Sequence, residues 1–150
     1  MLKEYIWGTE NWVYSDEETM VKLIDAQDSL SIQVHEGGEH WHVIKAEPDA
    51  ELICGLNRDL TPEEFRSHIE NGTLLEVVNR IKVKKGDYIY VPGRTLHAIG
   101  KGILIAEIRP VDNFTYRVYD YGRTDKDGNP RELHIEKAME ITDLRQLTDS

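Results

Sequence analysis

Short runs of strand length dominate the hydrophobic pattern of this chain. In 19–24, 30–35, 41–45, 51–54, 80–83, 88–91, 103–108 and 115–119, apolar positions alternate with polar ones or form brief apolar stretches. Turn signals separate them: Gly37-Gly38, Glu47-Pro48-Asp49, Lys85-Gly86-Asp87, Gly100-Lys101-Gly102 and Asp127-Gly128-Asn129-Pro130. Many short strands at such spacing predict an all-β fold, an antiparallel sandwich or barrel. One segment carries a helical signature instead. Thr61 is placed to be an N-cap, Pro62 takes the first helical position, and Glu64 completes a capping box. Asn71-Gly72 closes that helix and 73–78 adds a further helical turn, so the helical insertion covers 61–78. Residues 141–150 are polar and charged, and are expected to be a short helix or a frayed tail. No linker, low-complexity tract or repeat interrupts the chain, so 1–150 is expected to form a single domain.

Composition narrows the partners. With 150 residues, 39% of them hydrophobic, the chain can bury the core of one globular domain. A net charge of −10 argues against nucleic acid and anionic membranes, which are held by clustered Lys and Arg. It leaves open a small anionic ligand, since a few local cations can reverse the field inside one pocket. The single cysteine, Cys54, has no partner for an internal disulfide and reads as a small core residue in Leu52-Ile53-Cys54-Gly55-Leu56. The start, Met1-Leu2-Lys3-Glu4-Tyr5, lacks a signal core, and no apolar run approaches membrane-spanning length. A cytoplasmic location is the expectation.

Two segments carry the chemistry. Leu30-Ser31-Ile32-Gln33-Val34-His35-Glu36-Gly37-Gly38-Glu39 offers Gln33, His35 and Glu39; Gly86-Asp87-Tyr88-Ile89-Tyr90-Val91-Pro92-Gly93-Arg94-Thr95-Leu96-His97 offers His97. On a strand, Gln33 and His35 leave the same face, and a glycine turn gives Glu39 room to fold back beside them. In the second segment a hairpin turn, a strand and the Pro92-Gly93 bend lift His97 toward the interior. One amide, two imidazoles and a carboxylate suit Zn²⁺ and would also accept Fe²⁺, Mn²⁺, Co²⁺ or Ni²⁺.

The second segment resembles the second cupin motif, Gly-x5-Pro-x-Gly-x2-His, with its second glycine one place early at Gly93. The first resembles the other cupin motif, His-x-His-x3-4-Glu, with Gln33 in place of the first histidine. That resemblance implies a cupin-type double-stranded β-helix, a jelly-roll barrel. The glutamine makes the likeness more specific. Residues 22–26, 30–35, 46–53, 71–74, 83–87, 95–100, 115–123 and 131–138 resemble type I phosphomannose isomerases, in their short bacterial form. Those are zinc enzymes that interconvert mannose 6-phosphate and fructose 6-phosphate through a cis-enediol. By position, the resemblance implies Gln33, His35, Glu39 and His97 as metal ligands and Glu107 and Arg117 as catalytic residues. Arg117 would hold the enediolate electrostatically, and Glu107 would carry protons or orient a neighbour.

Three departures qualify this. The family's long excursion before the metal-binding glutamate has shrunk to Glu36-Gly37-Gly38, with Gly37 at the position of a family lysine. Arg109-Pro110 stands where the family has two glutamines, and the chain has about half the usual length. A more open pocket lacking one cation is the expectation. Three functions remain in view: an isomerase of mannose 6-phosphate or a related sugar, an isomerase of an unphosphorylated sugar, and a non-catalytic metal-dependent sugar-binding cupin. His40 and His42 fall on the face opposite Glu39 and Trp41 and read as a packed or partly exposed pair. His68 reads as a surface or partly packed residue rather than a catalytic one, and His134 as a structural one. Cupins commonly form homodimers, and Tyr5, Trp7, Trp12 and Tyr14 suit either such an interface or the barrel entrance.

Overall fold

The computed structural model describes residues 2–111 and 114–147. Two antiparallel sheets face each other. The six-stranded sheet runs β1 (Leu2–Tyr5), β2 (Gly8–Ser15), β3 (Thr19–Ala26), β10 (Ile103–Pro110), β5 (Glu39–Ala46) and β8 (Tyr88–Val91) in that spatial order. The five-stranded sheet runs β11 (Tyr116–Tyr119), β4 (Ile32–Val34), β9 (His97–Ile99), β6 (Glu51–Leu56) and β7 (Val78–Lys82). Two helices, α1 (Pro62–Glu70) and α2 (Ile135–Ile141), complete the chain's regular structure among the described residues.

Burial explains why some strands alternate and others do not. The five-stranded sheet is covered twice. Its outer side, with Ile32, Val34, Ile53, Leu56, Ala98 and Val118, packs against Phe65 and Ile69 of α1 and Ala138 and Ile141 of α2. Leu52, Cys54 and Ile99 of the same sheet meet Ile24, Trp41, Val43, Ile103 and Ile105 of the other in the space between. A strand such as β6, apolar on both faces, therefore reads as a continuous hydrophobic run. The six-stranded sheet leaves its other face to solvent, so β3 and β10 alternate.

The all-β, two-sheet architecture matches the expectation, and each of the eight expected strand segments contains a strand. Strands β1, β2 and β9 were not expected. The capping box forms as read: Glu64 N donates to Thr61 Oγ1 at 3.1 Å, and Thr61 N to Glu64 Oε1 at 2.9 Å. The helical insertion is shorter than 61–78. After α1 only one 3₁₀ turn, Leu74–Glu76, follows before β7 begins at Val78. The C-terminal helix lies earlier than 141–150: α2 ends at Ile141, residues 142–147 are not helical, and 148–150 fall outside the described residues. Its buried Ala138 and Ile141 pack on the sheet, so tertiary contact rather than capping defines it.

Candidate metal centre and its cavity

Strand register assembles the site from two rows that face one another. Across the five-stranded sheet, Arg117 on β11 stands opposite Gln33 on β4, Gln33 opposite His97 on β9, and His97 opposite Cys54 on β6. Across the other sheet, Trp12, Lys22, Glu107 and Trp41 stand opposite one another on β2, β3, β10 and β5. Directly opposed residues in an antiparallel pair project from the same face. Glu39 lies two residues before Trp41 and shares its buried side.

His35, Glu39 and His97 meet in the interior, with one ligand atom from each within 4.8 Å of the others. Both imidazoles are oriented by main-chain carbonyls. His35 Nδ1 donates to Phe114 O at 2.8 Å, and His97 Nδ1 donates to Thr95 O at 2.9 Å. A carbonyl only accepts, so each Nδ1 carries a proton, and in the neutral ring Nε2 is then the lone-pair atom. Those lone pairs face a carboxylate. His35 Nε2 is 3.7 Å from Glu39 Oε2, and His97 Nε2 is 3.1 Å from Glu39 Oε1 but outside hydrogen-bonding geometry. His35 Nε2, Glu39 Oε2 and His97 Nε2 are buried with no hydrogen-bond partner among the described residues. Burial, then the His97 imidazole beside it, pushes His35 down to about 3, so its ring is neutral. Burial alone would raise Glu39, but His97, His35 and Arg109 outweigh it and hold the carboxyl below its usual range. Three acceptor atoms turned toward one point in a dry interior fit a divalent cation, and the donor set is one that zinc favours. Gln33 is placed beside His97 by register, and its Oε1 accepts from Ser31 Oγ at 3.3 Å.

Trp41 couples this cluster to Glu107. Its indole N–H points between Glu39 Oε1 and Glu107 Oε1, 3.1 Å from each. Burial, then the negative charge of Glu39, raises Glu107 well above the ordinary carboxylate range, so one carboxyl of this pair keeps its proton at neutral pH. Cys54 behaves as a core residue: burial, then Glu39, pushes its thiol up to about 11.

A cavity of about 190 Å³ opens beside the cluster, walled by Gln33, Glu107, Lys22, Arg109, Arg117 and Arg131, with Tyr5 and Trp12 of the β1–β2 hairpin at its rim. His35, Glu39 and His97 line neither this cavity nor those of about 280 and 670 Å³. The 190 Å³ cavity adjoins them through Gln33, which stands opposite His97, and through Glu107, which shares the Trp41 N–H with Glu39. Arg109 is one of the cations on this wall. It sits two residues from Glu107 on β10, so it faces inward, 3.8 Å from the Glu107 carboxylate. The cation missing at Gly37 is therefore matched by cations on other strands. Lys22 is one of them, buried and paired with Glu10 at 2.9 Å. Lys22 and Trp41 were not singled out from the sequence, although a charged residue in phase with Met20 and Ile24 is a legible signal.

His40 and His42 lie on the solvent side of β5, and His40 contacts the Tyr88 hydroxyl. His134 has the structural place expected. It stands at the N-cap position of α2, accepts from Arg117 N at Nδ1 and donates its backbone N–H to Arg117 O. His68 is partly buried on α1 and bonds Thr73. Trp7 is in the core, Tyr5 and Trp12 are at the entrance, and Tyr14 is exposed.

The chain is similar to two curated proteins of Bacillus subtilis. It is 47% identical over 136 residues to a probable mannose-6-phosphate isomerase, GmuF, covering 81% of this chain and 43% of that protein. It is 40% identical over 144 residues to mannose-6-phosphate isomerase ManA, covering 87% of this chain and 45% of that protein. A crystal structure of the mannose 6-phosphate isomerase from Bacillus subtilis superposes with a TM-score of 0.82 at 35% identity, over 89% of this chain and 46% of that one. The chain thus spans about half the length of the curated relatives it matches. No protein-family model matches it.

Proposed function

The chain is a relative of the mannose-6-phosphate isomerases, and we propose that it is a divalent-metal-dependent aldose–ketose isomerase acting on mannose 6-phosphate or a closely related sugar phosphate. One observation carries the reading. His35, Glu39 and His97 turn unprotonated donor atoms toward a single point, next to a cavity whose wall holds a buried acid and several cations. His35, Glu39 and His97 would hold the metal, most naturally Zn²⁺, with Gln33 beside them as the fourth ligand. When bound, such an ion polarises a substrate carbonyl as a Lewis acid.

The remaining chemistry falls to the chain's own side chains. Glu107 presents a proton-holding carboxyl at the cavity wall and exchanges it with substrate hydroxyl oxygens. Trp41 keeps Glu107 and Glu39 in register by donating to both. Arg117 supplies fixed positive charge for the oxyanion of the enediol stage, supported by Lys22 and Arg109 on the opposite sheet. This concentration of cations in a chain of net charge −10 favours a phosphorylated sugar over a free one. We take residues 1–150 as a single cupin domain and the cytoplasm as its location.

Aldose–ketose isomerisation through an enediol exchanges carbon-bound hydrogen with solvent. Incubation with mannose 6-phosphate in D₂O, followed by NMR, should give fructose 6-phosphate with deuterium entering at C1 or C2. Glu107→Gln should slow that entry about 100-fold or more while retaining metal. Binding of the sugar with neither exchange nor product would refute the isomerase and favour a sugar-binding protein.

A further inference from the structure

Arg131 lies in the excursion between β11 and α2 and was not singled out as a site residue from the sequence. A buried carboxylate clamps its guanidinium from one side. Arg131 Nε donates to Asp120 Oδ2 at 3.0 Å, and Nη2 donates to Asp120 Oδ1 at 2.8 Å. Asp120 also accepts from Arg123 Nη2 at 2.7 Å, and Arg123 Nη1 in turn donates to Ser29 O at 2.6 Å. This bracket fixes Arg131 at the cavity wall and leaves its Nη1 without a hydrogen-bond partner among the described residues.

Arg117 shares that wall. Its Nη1 donates to Glu132 O at 2.7 Å, while its Nε is buried with no hydrogen-bond partner among the described residues. Burial, then the charge of Arg131, lowers the Arg117 pKa, so the two guanidinium groups feel each other. Like charges with uncommitted donors on one wall are balanced when an anion lies between them. Their position indicates which part of a ligand they meet. Arg117 stands two strands from His97, about 10 Å across the sheet, and Arg131 follows edge strand β11.

We infer that Arg131, positioned by Asp120 and acting with Arg117, is the specificity-determining residue that receives the phosphate of the sugar, at the end remote from the metal donors. The identity of the sugar rests on the isomerase reading; the phosphate contact does not.

The two are separable by experiment. Inorganic phosphate is titrated calorimetrically into the metal-loaded chain and into Arg131→Gln, and kcat/KM is measured for mannose 6-phosphate and for mannose. Arg131→Gln should weaken phosphate binding about 10- to 100-fold, the loss of a charge-assisted contact. KM for mannose 6-phosphate should rise by a similar factor with a smaller change in kcat, and the preference for the phosphorylated sugar should fall. Arg131→Lys, which keeps the charge but cannot clasp Asp120 side-on, should fall between the two. Asp120 keeps Arg123 as a partner in both variants, so near-UV circular dichroism should be unchanged. Equal phosphate affinity in the wild type and Arg131→Gln, or no phosphate binding by the wild type, overturns the inference. Phosphate binding that depends on Arg131 in a chain with no turnover upholds it and overturns only the isomerase.

Discussion

Trp41 is the side chain on which the two acidic groups of the site depend. Its single N–H serves Glu39 and Glu107 at once, so Trp41→Phe leaves two buried acceptors without their donor. That variant should lose about 1–3 kcal/mol of stability to urea and bind metal more weakly; unchanged affinity would show that the indole has no orienting role. His35 makes a pH-dependent claim. Its folded-state pKa is lowered, so below the ordinary value near 6.5 the unfolded chain takes up a proton that the folded chain does not. The raised pKa of Glu107 acts with the opposite sign over the same range, so the test uses Glu107→Gln. That variant, metal-free, should lose about 2 kcal/mol between about pH 7.5 and pH 5 in urea titrations, and a flat profile there would contradict the neutral buried ring. The depressed pKa of Glu39 acts with the same sign at still lower pH. The meeting of His35, Glu39 and His97 was legible because a period of two and a glycine turn join the first two and the cupin-like second segment supplies the third. Lys22 and Trp41 come from separate strands and Arg131 from an excursion; only the register brings Lys22 and Trp41 to either side of Glu107, and only the folded excursion brings Arg131 to the cavity.

The bend after β8 decides where His97 points. A Cβ on Gly93 would lie 2.3 Å from Glu36 O, so this backbone can approach the turn between His35 and Glu39 only without a side chain. Arg94 follows with a positive φ of 64°, held by its N–H to His35 O and by Asp143 N–H to its own carbonyl. Gly93→Ala should push the two metal-binding segments apart and weaken metal binding about tenfold or more, measured by competition with a chelator. By contrast, α1 packs on the outer side of the five-stranded sheet, away from the cavity. Thr61→Ala should cost about 1 kcal/mol of stability with kcat unchanged. Helix α1 was legible because a capping box announces it. Strand β9 has only three residues, and α2 has no side-chain cap, so packing rather than local pattern defines both.

At the scale of the molecule, one sheet supplies His97, Gln33 and Arg117, the other supplies Glu39, Trp41, Glu107, Lys22 and Arg109, and the cavity lies between them. The all-β architecture was legible because turn residues punctuate short strands. The pairing of distant strands was not, since periodicity gives a face and not a neighbour. The chain reaches this arrangement while spanning 43–45% of its Bacillus subtilis relatives, so the central question is whether the span suffices for turnover. The most direct measurement is conversion of mannose 6-phosphate to fructose 6-phosphate by the purified chain, alongside its metal content. Metal-dependent isomerisation requires about one divalent ion per chain, turnover that a chelator abolishes and Zn²⁺ restores, and loss of both ion and turnover in His97→Ala. A metal-loaded chain that leaves mannose 6-phosphate unchanged, or turnover that persists in His97→Ala, would contradict it.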